Sequence, residues 1–105
     1  MTINENSGGL ITEQQARTLI SEFDKRFPGE VVSSFMGSVH INSILSQEDC
    51  IGLRIYNGYD ALTEKISLVL VGVDSANNDL LKDGLIYDQM VTCPPTCPPG
   101  KTLSN

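Results

Sequence analysis

The chain has 105 residues, and its thirteen acidic and seven basic side chains give a formal net charge of -6 at pH 7. This balance argues against binding to nucleic acid, because affinity for the phosphate backbone comes from clustered lysines and arginines. With a hydrophobic content of 40%, a chain of this length predicts one domain with a modest core.

No apolar run approaches the roughly 20 residues that span a bilayer, so we expect no membrane insertion. The N-terminal sequence MTINENSGG has no basic region followed by an apolar one, so we expect no secretory signal. A cytoplasmic location follows from these two expectations. The reducing cytoplasm disfavours a permanent disulfide.

The N-terminal part of the chain predicts a flexible segment over residues 1–10 followed by a helix. Thr12 and Gln15 have the spacing of a capping box, and Pro28 with Gly29 ends the helix. One face of this helix is apolar and consists of Ala16, Leu19, Ile20, Phe23 and Phe27.

A second, shorter helix is predicted after this one. Ser38 is expected to cap it, and the apolar residues Val39, Ile41, Ile44 and Leu45 continue the pattern until it ends near Gln47.

Two strand-like runs follow the helices. Residues 50–56 alternate between apolar and mixed side chains, which predicts a half-buried strand. Residues 66–73 are apolar at nearly every position, which predicts a strand covered on both faces. Asn57 and Gly58 are a turn signal, so we expect an antiparallel hairpin. A third strand over 85–90 would place 66–73 in the middle of a meander.

The predicted fold class is therefore α+β. The fold has two layers, in which two N-terminal helices pack on a three-stranded antiparallel meander. A single domain is predicted over 11–91, followed by a proline-rich tail over 92–105. If both helices cover one face of the sheet, the valines of the other face are left uncovered, which favours self-association or a partner protein. The interface residues predicted on this basis are Arg54, Tyr56, Val69 and Val71.

The tail contains the sequence TCPPTCPPG, whose prolines favour polyproline II geometry. An extended segment would hold Cys93 and Cys97 about 12 Å apart, whereas a disulfide needs Cα atoms within about 7 Å. We therefore expect reduced thiols; a disulfide would require a turn at Pro94 and Pro95. A zinc site formed by the tail cysteines with His40 and Cys50 is an alternative, and otherwise we expect no cofactor.

No catalytic signature is recognisable in the chain. The single histidine, His40, lies in the predicted second helix without a nucleophile that the sequence identifies as its partner. No glycine-rich turn joins a strand to a helix with a following lysine, which argues against nucleotide binding. We expect a non-enzymatic protein.

The runs CIGLRIY and LVLVGVD, the Asn/Asp turn after them and the terminal Cys-Pro-Pro-x-Cys resemble a group of small uncharacterised bacterial proteins. The resemblance covers roughly residues 35–97 and implies no activity, fold or ligand. It does indicate that the tail is a regular part of the protein.

These observations predict a small interaction or self-assembly module that forms a homo-oligomer or docks on another protein. One alternative is a thiol-redox or zinc-binding protein that uses Cys93 and Cys97. A further alternative is an accessory subunit of a larger bacterial or phage assembly, with the tail as a docking strap.

Overall fold

The computed structural model describes residues 2–104; Met1 and Asn105, the outer ends of the predicted flexible N-terminus and tail, lie outside them. The described residues form two helices and four strands, which confirms the α+β class. The elements are α1 (Glu13–Arg26), β1 (Ser33–Phe35), α2 (Ser38–Leu45), β2 (Cys50–Asp60), β3 (Lys65–Asp74) and β4 (Val91–Cys93). The strands form two separate antiparallel pairs, β1 with β4 and β2 with β3.

The chain divides into two compact units. Unit 1 contains the chain up to Gly8 together with Met36–Met90, and unit 2 contains Gly9–Phe35 together with the chain from Val91 onwards. The single domain over 11–91 with a separate tail stays a prediction. The two helices belong to different units.

The first helix begins with the predicted capping box. Thr12 Oγ1 accepts a hydrogen bond from the Gln15 N–H at 3.0 Å, and Gln15 Oε1 accepts one from the Thr12 N–H at 2.9 Å. The helix ends one residue before Phe27, whose N–H donates to the Phe23 carbonyl at 2.9 Å. No residue of α1 is buried, and Leu19 is 65% exposed, so the apolar face of this helix is poorly covered.

The second helix packs on the β2–β3 pair in unit 1. Its N-cap is Gly37, and Ser38, the predicted cap, is the first helical residue. Ile44, a residue of this helix, is fully buried. A Cβ built on Gly72 would lie 3.1 Å from Ile44 Cγ2 and 3.0 Å from Cys50 Sγ, so the glycine lets the helix approach β3 closely.

The hairpin of β2 and β3 is longer than predicted. Asn57 and Gly58 were expected to turn, but they lie within β2, opposite Leu68 and Ser67. The chain turns instead after Asp60, whose Oδ1 accepts a hydrogen bond from the N–H of the second turn residue, Leu62, at 2.9 Å. The local preference of Asn-Gly for a turn is overridden because the ladder continues past it.

Gly58 has a role in this ladder that its turn propensity does not reveal. A Cβ at this position would lie 2.5 Å from the backbone oxygen of Ser67, which is closer than packed atoms approach. The pairing of β2 with β3 therefore depends on the missing side chain at Gly58.

The predicted meander is not found, because residues 85–90 do not form a continuous third strand. The segment after β3 touches its free edge at two isolated antiparallel bridges, Val73 with Asp79 and Leu70 with Tyr87. At the second bridge the Leu70 N–H donates to Tyr87 O at 2.8 Å and the Tyr87 N–H donates to Leu70 O at 3.0 Å. A turn at Gly84, with φ of 67°, interrupts the extended chain between the bridges.

The core of the described residues is small. Its buried hydrophobic residues are Val31, Ile44, Leu70, Val71, Val73 and Cys93. Three of these six belong to β3, and Leu70 and Val71 point to opposite faces of the strand. The prediction that this strand is covered on both faces is confirmed.

Unit 2 contains the short ladder of β1 and β4. Ser33 pairs with Cys93 and Phe35 with Val91. The predicted tail therefore begins as a strand, and its later part lies beside α1, where Arg17 Nη1 donates to Leu103 O at 3.1 Å.

We predict that Gly58→Ala destabilises the protein by about 1–3 kcal/mol, because the new methyl group forces the β3 backbone away. The matched control is Gly52→Ala in the same strand, where a Cβ meets no atom within 4 Å. The control should remain within about 0.5 kcal/mol of the parent in urea unfolding. Equal stability of the two variants would contradict the close approach at Gly58.

Candidate functional site

The four predicted interface residues share one face of the β2–β3 pair. Arg54 lies directly opposite Val71, and Tyr56 lies opposite Val69. Cross-strand partners in an antiparallel pair point to the same side, so the four side chains form one patch, as the alternation of β2 indicated.

This patch is crossed by hydrogen bonds that the sequence did not reveal. Arg54 Nη1 donates to Asp79 Oδ1 at 2.6 Å, and Tyr56 Oη donates to Asp79 Oδ2 at 2.6 Å. Arg54 Nη2 also donates to Asn77 Oδ1. Asp79 lies at the far edge of β3, opposite Val73, so the Arg54 and Tyr56 side chains span β3 on its valine side. We call these bonds the Asp79 bridge.

The valine face is therefore not the uncovered surface that we expected. Val71 is 2% exposed and Val73 is 3% exposed, while Val69 is half-buried. The chain after β3 folds back along the edge of the strand, and Asp79 draws the β2 side chains across it. Val71 is a core residue of unit 1 in this structure, and Arg54 and Tyr56 already have an intramolecular partner.

The Asp79 bridge shifts the pKa values of its members. The hydrogen bond from Tyr56 and the Arg54 guanidinium lower the pKa of Asp79, although partial desolvation opposes them. The hydrogen bond to Asp79 raises the pKa of Tyr56 and also that of Arg54. The bridge is thus intact in the pH range where Asp79 is ionised and Tyr56 is protonated.

We predict that Asp79→Asn lowers the free energy of unfolding at pH 7 and makes it less dependent on pH on the acid side. A carboxylate whose folded pKa is depressed stabilises the fold above its ordinary pKa of about 3.9, and this contribution is lost as the pH falls through the lower folded value. Urea unfolding between pH 7 and pH 2 measures both effects. The exposed Asp88→Asn is the control of equal charge change; a similar pH profile for the two variants would contradict the bridge.

We predict that Val71→Ala costs about 2 kcal/mol of stability, because it removes two buried methyl groups and leaves a cavity. Val39→Ala makes the same change at a position that is 72% exposed, and its stability should stay within about 0.5 kcal/mol of the parent. Chemical denaturation of both variants decides between a core position and an open surface. Equal, small losses of stability in the two variants would mean that Val71 lies on an uncovered surface, as the sequence predicted.

The residues of the zinc alternative do not form a metal site. Cys93 and Cys97 are bonded to each other, so neither offers the thiolate that zinc requires. His40 packs its ring against Tyr87, with centroids 4.9 Å apart, and the Cys50 thiol donates to the Gly52 carbonyl at 3.4 Å. Between residues 2 and 104 no group of three or more His, Cys, Asp or Glu side chains is arranged to hold a metal ion.

The disulfide corrects the expectation of reduced thiols in an extended tail. The Cα atoms of Cys93 and Cys97 are 4.6 Å apart because the chain turns between them. The Thr96 N–H donates to the Thr92 carbonyl at 2.8 Å across this turn. The turn forms at prolines that are visible in the sequence, but the preference of prolines for extended geometry predicted an open segment instead.

The disulfide lies beside an apolar groove in unit 2, which we call the tail groove. Its volume is about 550 Å³, and its walls come from α1, the β1–β4 ladder and the segment after Cys97. None of the thirteen residues that line it is charged. Phe35, Val91 and Leu103 line it and are 68%, 51% and 47% exposed, so their apolar surface is open to solvent.

Charge is distributed unevenly between the two units. Unit 1 contains nine acidic and three basic side chains, whereas unit 2 contains four of each. The entire formal charge of -6 therefore belongs to unit 1, and the unit with the tail groove is neutral.

Comparisons with protein-family models, with curated proteins and with solved structures gave no match. The resemblance to small bacterial proteins stays an expectation, and the candidate site depends on its geometry alone. Neither helix among residues 2–104 has the length and apolar character that crossing a membrane requires.

Proposed function

We propose that this protein is a non-enzymatic interaction module whose tail groove binds an extended, uncharged segment of another polypeptide. The observation that carries the proposal is the open apolar wall of Phe35, Val91 and Leu103, without a charged side chain in the lining. Exposed apolar surface gains about 25 cal/mol for each Å² that a partner removes from water. Contiguous apolar surface of this kind is typical of protein interaction sites.

The chemistry of the groove selects the kind of partner. A charged side chain entering it would lose hydration without meeting an opposite charge in the lining, so apolar and small polar side chains are favoured. Each strand of the β1–β4 ladder is paired with another strand on one side only, within the described residues. An extended segment can add to such an edge through its main chain while its side chains enter the groove.

The acidic character of unit 1 fits this division of roles. A net charge away from zero keeps a protein soluble and suppresses non-specific association. Because unit 2 carries no net charge, it offers no long-range attraction to a charged partner.

A thiol-redox protein is the second candidate, and the observation that favours it is the Cys93–Cys97 disulfide. Such a protein would oxidise a substrate dithiol, or in its reduced form reduce a substrate disulfide, with turnover, and Cys93→Ser would abolish that activity. An interaction module has no such activity to lose. The two candidates also differ in location, since a persistent disulfide is typical of oxidising compartments and argues against the predicted cytoplasmic one.

Self-assembly and a role as an accessory subunit of a larger bacterial or phage assembly are narrower forms of the same proposal. In both, the segment bound in the tail groove belongs to another subunit. Sedimentation of the purified protein at several concentrations separates a second copy from a different chain as the partner.

We predict that random twelve-residue peptides selected on the immobilised protein are rich in apolar residues and poor in charged ones. Phe35→Asp should weaken the binding of a selected peptide at least tenfold, about 1.4 kcal/mol, because it places a charge in the apolar wall. Fluorescence anisotropy with the labelled peptide measures the dissociation constant.

The matched control for this experiment is Leu62→Asp, which makes a comparable change at a residue that is 97% exposed in the hairpin turn of unit 1. Its peptide affinity should equal that of the parent. Leu103→Asp, in the segment after Cys97 that also lines the groove, guards against a folding defect specific to β1. Unchanged affinity in both groove variants, or selection of charged peptides, would refute the tail groove as the binding surface.

A further inference from the structure

The two ends of the tail disulfide differ in their access to solvent. Cys93 is the last residue of β4 and is 7% exposed, whereas Cys97 is exposed. Thiol–disulfide exchange requires that a thiolate reach one of the two sulfur atoms, so accessibility decides which end is attacked. The attack is therefore directed to Cys97.

The two cysteines also differ in how the surrounding chain holds them. Cys93 pairs with Ser33 in the ladder, and its carbonyl accepts a hydrogen bond from the Val32 N–H at 2.8 Å. Cys97 lies beyond the turn and outside the ladder. If the sulfur–sulfur bond breaks, these backbone contacts keep Cys93 in place, while Cys97 stays joined to the sheet only through the main chain of residues 94–96.

The segment that follows Cys97 forms one wall of the tail groove. Pro98 and Leu103 line the groove together with Cys97 itself. Non-covalent contacts, among them the hydrogen bond from Arg17 to Leu103 O, hold this segment beside α1. The disulfide is therefore a short cross-link that fixes the start of this wall against the end of β4, in addition to the main chain of residues 94–96.

We propose that the Cys97 sulfur is an exchange site for dithiol reductants, and that reduction there releases residues 98–104 and dismantles the tail groove. The inference rests on the proposed function in one respect, namely that the groove is the binding surface which the exchange controls. It adds a reaction partner, a protein or small-molecule dithiol, and a regulatory consequence.

The exchange proceeds in two balanced steps. A thiolate of the dithiol attacks Cys97 Sγ; a mixed disulfide forms, the bond between Cys93 and Cys97 breaks, and Cys93 leaves as a thiolate that takes a proton from water. The second thiol of the reductant then loses its proton and attacks the reductant's first sulfur, which is bonded to Cys97 in the mixed disulfide. Cys97 is released as a thiolate and is protonated in turn. Two electrons pass from the dithiol, which becomes a disulfide, to the protein, which gains two thiols.

The test uses trypsin, because Lys101 lies within the segment that reduction should release. The protein carries Cys50→Ser so that its free thiol takes no part in the exchange. Cleavage after Lys101 is followed by mass spectrometry with and without dithiothreitol, and thiol titration confirms reduction. We expect cleavage to accelerate at least tenfold on reduction, while cleavage after Lys82 in unit 1 keeps its rate.

A variant with both Cys93→Ser and Cys97→Ser is the matched control. It should be cleaved after Lys101 at the rate of the reduced protein, whether or not dithiothreitol is present. Three results would each overturn the proposal: a disulfide that resists dithiothreitol in the folded protein, an unchanged cleavage rate after complete reduction, and a parallel rise in cleavage after Lys82, which would mean that the whole fold opens.

Binding of the selected peptide separates this proposal from the one it rests on. Release of the tail should weaken that binding at least tenfold in the reduced protein. If cleavage after Lys101 rises while peptide affinity stays constant, the exchange site is upheld and the groove fails as the binding surface. If neither changes after complete reduction, the exchange proposal fails and the proposed function stands.

Discussion

β3 has apolar side chains on both of its faces, and the structure of unit 1 depends on how each face is shielded from solvent. Leu70 is 6% exposed and Val71 is 2% exposed, and consecutive residues of a strand point to opposite sides. On the side of Leu70 and Gly72 the cover comes from α2, whose Ile44 packs closely because Gly72 has no side chain. On the side of Val71 the polar side chains of Arg54 and Tyr56 reach across the strand to Asp79.

The Asp79 bridge explains how such a small unit covers two faces with one helix. Arg54 and Tyr56 have long side chains whose apolar parts can lie along buried surface while their polar ends remain hydrogen-bonded. Asp79 supplies both carboxylate oxygens to these ends. The isolated β-bridges from Asp79 to Val73 and from Tyr87 to Leu70 also occupy part of the second edge of β3, so that this part of its main chain is not a template for another strand. The uncovered valine face, on which the predicted interface was based, is thus buried at Val71 and Val73.

The sequence predicted the elements that depend on local patterns and missed those that depend on distant contacts. Thr12 and Gln15 specify the start of α1 because both capping hydrogen bonds join residues three positions apart. The apolar run of β3 correctly predicted a strand buried on both faces. Asn57 and Gly58 gave a wrong prediction of a turn, because the pairing of β2 with β3 continues through them to Asp60 and outweighs their local turn preference. Asp79 looked like an ordinary turn residue, since nothing local shows that Arg54 lies within reach, 25 positions earlier.

The tail cysteines illustrate the same limit in a different way. The spacing of Cys93 and Cys97 permits both an extended segment and a closed turn, and only the three-dimensional structure distinguishes them. Once the turn is formed, the segment that follows lies beside α1, and its Pro98 and Leu103 line the groove together with Phe35 and Val91. The side chains of Phe35, Val91 and Leu103 are open to solvent in the neutral unit, while Val71 and Val73 of the acidic unit are buried. This contrast supports our proposal that the tail groove is a binding surface, because the exposed side chains of Phe35, Val91 and Leu103 line one groove that has no charged residue.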